Sequence, residues 1–290
     1  MRGMNRRDFM RQATGMLTAA AVAGQGSAAL GEGEKLTATT MRTLGKTGVQ
    51  CTLLGMGTGV KAWNGQSALT RKGRDTCLAV MKHAYERGIR YFDLADMYGS
   101  HDFLRELLVQ GPMERDKVTL LTKTNATEPA AAKTDLERFR KELDTDRLDV
   151  VLMHCMQRGD WLETMQECMD VMEEAKQKGV VRAHGVSCHG LEALARAADS
   201  PWVDVVLARI NPFGVKMDGP PEKVVPLLRR ARENGKGILG MKIVGEGQLR
   251  DRLAESIRYV LGLGLVDAMP IGFLDPSEVD SAIAHIEAVD

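Results

Sequence analysis

Residues 149–187 read DVVLMHCMQRGDWLETMQECMDVMEEAKQKGVVRAHGVS. An apolar run opens this stretch and another closes it, and both lack polar alternation, as strands buried on two faces do. The segment between them has apolar residues three or four positions apart, at Leu162, Met165, Met169 and Met172. Gly179 follows as a helix stop. The stretch therefore predicts one strand–helix–strand unit, with the methionines in its core.

The same alternation continues along the chain from residue 40. A short hairpin is predicted first, from residues 41–44 and 49–52 around a Gly-Lys-Thr-Gly turn. Eight buried strands follow, at residues 53–57, 90–94, 118–123, 149–154, 181–187, 203–210, 237–243 and 265–272. Eight strand–helix units in about 250 residues are typical, in number and in length, of one α/β fold, the (β/α)8 TIM barrel. We expect one barrel domain over residues 36–290.

A doubly wound dinucleotide fold is the alternative for such a pattern. That fold needs G-x-G-x-x-G directly after its first strand. The chain has Gly-Met-Gly-Thr-Gly at residues 55–59, and its spacing does not fit. The barrel is therefore favoured.

Composition excludes several classes of protein. The 290 residues include 39 Lys and Arg against 39 Asp and Glu, which argues against a nucleic-acid-binding surface. A hydrophobic fraction of 44% is enough for a core and argues against disorder. The five cysteines form no C-x-x-C pair, so no disulfide framework and no metal site is predicted.

Residues 1–30 are typical of an export signal. Arg6-Arg7-Asp8-Phe9-Met10 is a twin-arginine core, followed by a weakly apolar run at residues 13–24 and small residues at 27–29. A membrane anchor is the alternative, but Ala, Gly, Thr and Gln are poorly hydrophobic for a stable span. We therefore expect recognition by the twin-arginine export machinery and a periplasmic location.

Ionisable side chains end three successive predicted strands. Asp93 ends the second strand, Lys123 the third and His154 the fourth, and Tyr98 follows Asp93 by five residues. In a barrel the carboxyl ends of the strands meet on one rim, where sites are built. Each residue alone has a structural explanation, but three adjacent strands with charged ends favour a site.

This set is suited to giving a proton to an oxygen. A free phenol has a pKa of about 10, and a nearby ammonium lowers it by stabilising the phenolate. Tyr98 is then the proton donor, Lys123 tunes it, Asp93 holds Lys123, and His154 orients a substrate oxygen. No G-x-S-x-G elbow, P-loop or H-E-x-x-H competes with this interpretation.

Residues 41–290 resemble the aldo-keto reductase family. The matching motifs are Arg42-Thr43-Leu44-Gly45, Leu54-Gly55-Met56-Gly57-Thr58, Gly88-Ile89-Arg90-Tyr91-Phe92-Asp93, Tyr98-Gly99, Gly185-Val186-Ser187, Gly240-Met241-Lys242 and Gly245-Glu246-Gly247. The resemblance implies hydride transfer between a nicotinamide and a carbonyl or alcohol carbon. It also implies that Tyr98 is the general acid/base, with Asp93, Lys123 and His154 completing the tetrad.

The resemblance further implies that NADP or NAD binds on the barrel without the dinucleotide fingerprint. The implied contacts are Gly57, Thr58, Ser187, Asn211, Lys242, Gly245, Gly247, Gly272 and Phe273. Two positions depart from the family: Cys188 replaces the usual Asn after Ser187, with His189 a possible substitute, and residues 273–278 lack the cations that hold a 2′-phosphate. Arg250 and Arg252 are the candidates to replace those cations.

The substrate expected from the resemblance is a small carbonyl or sugar-like molecule. Trp63, after the first barrel strand, is either a wall of its site or a packing residue. Three other functions stay open: an exported enzyme with a tightly held nucleotide cycling between two sugar-like substrates, a non-catalytic nucleotide sensor, and a metal enzyme. The metal enzyme would use His154, Cys155, Cys188 and His189, but neighbours on a strand face opposite ways.

Overall fold

The computed structural model describes residues 35–289, so the predicted export signal at residues 1–30 lies outside the described residues. The two short strands β1 (Met41–Thr43) and β2 (Gln50–Thr52) form an antiparallel hairpin. Eight parallel strands follow: β3 Leu54–Gly57, β4 Tyr91–Asp93, β5 Thr119–Thr124, β6 Leu148–Met156, β7 Val181–Cys188, β8 Val205–Arg209, β9 Gly237–Met241 and β10 Met269–Gly272. None of the described helices has the length and apolar character needed to cross a membrane.

The eight parallel strands close into a barrel. Their order is β10-β3-β4-β5-β6-β7-β8-β9, and β9 meets β10 at the parallel bridge between Leu239 and Ala268. Helices cover the outside: α1 Arg74–Glu86, α2 His101–Val109, α3 Pro129–Leu143, α4 Trp161–Thr164, α5 Gln166–Gln177, α6 Leu191–Asp199, α7 Pro221–Glu233, α8 Leu253–Gly262 and α9 Pro276–Glu287. The predicted (β/α)8 barrel with its short hairpin is confirmed.

Alternate residues of each strand separate into two apolar cores. On β8, Val205 and Leu207 belong to a small cluster inside the barrel, whereas Val206 and Ala208 join the large cluster under the helices. This follows from the strand geometry, in which successive side chains point to opposite faces. Because both faces are buried, both sets are apolar, which explains the continuous apolar runs in the sequence.

The hairpin closes the amino end of the barrel. Leu44, Val49 and Cys51 pack in the inner cluster against the first residues of the strands. Lys46 N donates a hydrogen bond to Gly235 O at 3.0 Å, just before β9 begins. With one end closed in this way, the carboxyl end is the open mouth.

Two predicted elements differ from the structure. The predicted strand at residues 265–272 begins only at Met269, although Asp267 N already donates to Ile238 O at 2.7 Å and Gly240 N to Ala268 O at 2.9 Å. The predicted single helix after β6 is two helices, α4 and α5, with Met165 between them in a non-helical conformation. The last helix, α9, has Asp275 as its N-terminal cap, since the Asp275 side chain accepts a hydrogen bond from Ser277 N at 2.8 Å.

Candidate active site

The last inward-facing position of each strand carries the polar side chains of the mouth. Two residues before it the same strands hold inner-cluster residues, such as Tyr91, Leu121 and Leu152. The alternation therefore brings into one layer Asp93 (β4), Lys123 (β5), His154 (β6), Ser187 (β7), Arg209 (β8) and Met241 (β9). The three predicted strand-end residues are thus brought together, next to the polar side chains of Ser187 and Arg209.

A buried ion pair lies at the centre of this layer. The Nζ of Lys123 donates hydrogen bonds to Asp93 Oδ1 and, at 2.7 Å, to Leu94 O. Lys123 is fully buried, and burial lowers its pKa while the Asp93 charge opposes that effect. Burial raises the pKa of Asp93, and the charge of Lys123 counters it. Each charge makes the other tolerable, so neither residue can be removed alone at low cost.

Tyr98 reaches the pair from the loop after β4. Residues Asp96–Tyr98 form a single 3-10 turn, and Gly99 follows at φ 64°, where a Cβ would lie 2.0 Å from Gly65 O. Arg138 on α3 holds Asp96 at 2.7 Å and ties the turn to the barrel wall. The conformation of this turn and its contact with Arg138 therefore direct the Tyr98 phenol back into the mouth of the barrel.

The hydroxyl of Tyr98 lies 3.3 Å from Nε2 of His154, and the Nζ of Lys123 lies 4.8 Å from the centre of its ring. Contrary to our expectation, the pKa of Tyr98 is not lowered in this structure. Burial raises it well above its ordinary value, and the Asp93 charge adds to the effect. Removal of the phenol from water is the largest cause, and the Lys123 ammonium over the ring face does not overcome it. The phenol is therefore held protonated.

His154 is held neutral. Burial, together with the charges of Lys123 and Lys242, lowers its pKa to about 3. Its Nδ1 is buried and has no hydrogen-bond partner among residues 35–289. A neutral imidazole beside a protonated phenol can accept or donate a hydrogen bond at an oxygen placed between them.

A groove runs from Tyr98 across the mouth. Three adjoining clefts, with empty volumes of about 510, 860 and 650 Å³, share Val244 and Gly272. Among the residues that the family resemblance implies, Gly57 and Lys242 line the first cleft, Gly247 the second and Phe273 the third. The groove is long and lined by backbone at its glycines, as an extended dinucleotide requires.

Other implied cofactor contacts lie elsewhere. The Thr58 hydroxyl hydrogen-bonds Asp93 O and Ser100 Oγ at 2.8 and 2.9 Å. The Asn211 side-chain amide donates to Val215 O and Lys242 O and accepts from two backbone amides of its own loop. Both polar atoms of this side chain are therefore already hydrogen-bonded. Gly245 is buried against Val215. These residues shape the mouth and are not exposed to the groove.

Ser187 and the residues after it were expected to contact the nicotinamide amide. The Ser187 hydroxyl is buried and has no partner within the described part of the chain. Cys188 faces the outer core, so it cannot take the place of the family's Asn. His189 Nε2 lies 4.0 Å from Cys155 Sγ. Between residues 35 and 289, no three His, Cys, Asp or Glu side chains are grouped as metal ligands.

Trp63 lies on the loop that packs against Gly99. It is 77% exposed, so the packing role considered for it is wrong. Its role as a wall of the substrate site stays a prediction.

Sequence reasoning missed Arg209 and its partner Asp218. Arg209 Nη1 and Asp218 Oδ1 lie 3.1 Å apart. The signal was present in the sequence, because a charged residue ends the inward series Val205, Leu207, Arg209 on an otherwise apolar strand.

Fold and site together define a (β/α)8 barrel with a Tyr, Lys, Asp and His constellation at its mouth. The sequence model of the aldo/keto reductase family matches residues 54–260, and the chain belongs to this family.

Three proteins illustrate the relationship. A methylglyoxal reductase of Salmonella typhi is 27% identical over 132 residues, which are 45% of this chain and 49% of that protein. The L-galactose dehydrogenase of Arabidopsis thaliana is 23% identical over 73% of this chain and 67% of its own length. The solved structure of an aldo-keto reductase from Bacillus halodurans is 20% identical, covers 86% of this chain and 91% of its own, and has a TM-score of 0.71. The chain thus spans about half the length of the Salmonella relative.

The neutral state of His154 makes a prediction about stability. Its pKa lies near 3 in the folded chain and near 6.5 in the unfolded chain, so the unfolded chain binds more protons between these values. The free energy of unfolding should therefore fall as the pH falls through this window, by up to about 1.4 kcal/mol per unit. Urea unfolding at pH 4.5, 5.5 and 6.5 should show a shallower dependence for His154→Asn. Equal slopes for the two proteins would contradict the assignment.

Proposed function

We propose that this protein is an NAD(P)-dependent oxidoreductase that transfers a hydride between nicotinamide and a carbonyl or alcohol carbon. One observation carries the proposal: Tyr98 lines the groove as a half-buried, protonated phenol, its hydroxyl lies 3.3 Å from His154 Nε2, and the nitrogen of the Lys123–Asp93 pair lies over its ring. Such a phenol can protonate an oxygen that gains charge as its carbon is reduced.

Each of the four residues has a separate role in this reaction. Tyr98 donates its proton to the carbonyl oxygen in reduction and recovers it in oxidation. The Lys123 ammonium stabilises the phenolate that the donation leaves, and Asp93 keeps that ammonium charged in a buried site. His154, neutral at ordinary pH, hydrogen-bonds the same oxygen and fixes its direction.

The groove fits a nicotinamide dinucleotide, whose chemical contribution when bound is the hydride. At the Tyr98 end, a Cβ on Gly59 would lie 2.2 Å from the Tyr98 ring, so this wall tolerates only backbone. The unpartnered Ser187 hydroxyl offers a buried polar contact on the inner face of β7. Lys242 lines the first cleft and brings a cation, with Glu246 2.7 Å away. Gly247 contributes open backbone further along the groove.

We propose NAD rather than NADP as the nucleotide. The third cleft ends at Glu278, whose carboxylate pairs with Arg250 at 2.8 Å and accepts from Leu274 N at 2.7 Å. Arg252 is paired with Glu255 and lies over the Phe213 ring. Both candidate cations for a 2′-phosphate are thus already neutralised, and the Glu278 charge would repel it.

The substrate class we propose is a small hydroxylated aldehyde or sugar. The names of the Salmonella and Arabidopsis relatives support a carbonyl or sugar substrate. The polar inner layer of the mouth, with Arg209 next to the tetrad strands, also favours a substrate with hydroxyls.

Replacing Tyr98 by Phe removes the proton donor alone. We expect Tyr98→Phe to lower kcat for aldehyde reduction by about 10²- to 10⁴-fold. NADH binding, measured by fluorescence titration, should stay within about twofold because the ring remains. Tyr259→Phe, on α8, is the matched control and should retain activity. Normal turnover by Tyr98→Phe would refute the assignment.

The nucleotide preference has its own test. Wild-type protein should bind NADH more tightly than NADPH, and Glu278→Gln should tighten NADPH binding by about tenfold because Arg250 is released. Calorimetric titration of both nucleotides measures this. Glu255→Gln breaks the Arg252–Glu255 pair, neither member of which lines the third cleft, and as the control it should leave the ratio of the two dissociation constants unchanged. An unchanged ratio in Glu278→Gln would show that Glu278 does not select the nucleotide.

We also propose that residues 1–30 direct export to the periplasm. The support is the twin-arginine core with its apolar run and small residues. Arg6→Lys combined with Arg7→Lys preserves charge but removes the pair. Fractionation of a bacterium with a twin-arginine pathway should find the wild-type chain in the periplasm and the variant in the cytoplasm. The same location for both chains would contradict the proposal.

A further inference from the structure

Arg209 occupies the inner layer of the barrel beside the tetrad strands. Val205 and Leu207, four and two residues earlier on β8, belong to the inner cluster, so Arg209 faces the same way. Its Cα pairs with that of Met241, which lines the first cleft. Leu207, two residues before it, pairs with Ser187. Arg209 therefore stands at the mouth, between the unpartnered serine and the groove.

Its pairing with Asp218 leaves polar atoms unused. Only Nη1 and Oδ1 meet, at 3.1 Å, although a guanidinium and a carboxylate can form two parallel bonds. Arg209 Nε and Asp218 Oδ2 are both buried and lack a hydrogen-bond partner among the described residues. The Asp218 side chain is 2% exposed. A buried donor and acceptor left open in this way cost free energy unless a ligand completes them.

The local charge argues against an anionic ligand. Asp218 neutralises Arg209, and Glu246 neutralises the nearby Lys242. Burial raises the pKa of Asp218, while the charges of Arg209 and Lys242 oppose that effect. A carboxylate or phosphate placed here would meet the Asp218 oxygen. A neutral group with one acceptor and one donor matches both open atoms.

We propose that Arg209 and Asp218 bind a neutral ligand group that accepts a hydrogen bond from Arg209 Nε and donates one to Asp218 Oδ2. Primary carboxamides and vicinal hydroxyls have this chemistry. The inference rests on the proposed function, because the two sources are then the nicotinamide carboxamide and a hydroxylated substrate. If the carboxamide is the ligand, the pair takes on recognition that Cys188, turned into the outer core, cannot perform.

The test replaces the pair by apolar residues in the full chain. An ion pair with only a structural role can often be exchanged for apolar side chains without loss of stability. Arg209→Met combined with Asp218→Leu should therefore keep the wild-type Tm but no longer bind the neutral ligand group. Should it fail to fold, Asp218→Asn, which keeps the shape, takes its place. The control is Arg232→Met with Asp267→Asn, a pair of equal Arg exposure at the closed end of the barrel.

Two measurements separate the sources. If the carboxamide is the ligand, the dissociation constant for NADH should rise by about tenfold or more, for the variant only. If the substrate is the ligand, NADH binding is unchanged and the ratio of kcat/KM for glyceraldehyde to that for propanal falls by about tenfold or more. Unchanged values for both, with a wild-type chain that binds NADH and reduces propanal, would overturn this site alone. A wild-type chain that does neither would overturn the proposed function and this site with it.

Discussion

The buried pair of Lys123 and Asp93 is the constraint on which the mouth of the barrel depends. A fully buried ammonium is tolerated only with a charge partner and further acceptors, which Asp93 and Leu94 O supply. Because the partners lie on adjacent strands β4 and β5, the pair fixes how these strands end relative to each other. Tyr98 and His154 then take positions around a charge that is already fixed.

The rest of the protein supports the turn that carries Tyr98. Arg138 contacts Asp96, Asp135 and Glu142, so one guanidinium joins the turn to helix α3. On the other side, the Thr58 hydroxyl joins Asp93 O to Ser100 Oγ. The phenol is therefore carried by a loop with contacts on both flanks. This matters for chemistry, because a proton donor misplaced by an ångström loses much of its effect.

The inner layers of the barrel change character along its axis. Near the hairpin they are apolar, with Leu44, Val49 and Cys51 packed against the strand starts. At the mouth the same series ends in charged and hydroxyl-bearing residues, including Arg209 with Asp218. An apolar base supports a polar rim whose side chains have little freedom. The resulting low dielectric strengthens each interaction in the rim and raises the penalty for any polar atom left open.

The sequence determined the barrel and the positions of three of its polar strand ends, because both depend on local periodicity and on which residue ends each strand. Asp93, Lys123 and His154 could be placed on one rim since parallel strands all end at the same side. The tertiary structure decided what no spacing reveals. It turned Cys188 outward and enclosed Asn211 in its own loop. It also removed the Tyr98 phenol from water beside the Asp93 charge, so that the phenol's pKa rises instead of falling. Burial and the direction of a side chain depend on neighbours far apart in the chain, which is why these outcomes came only with the fold.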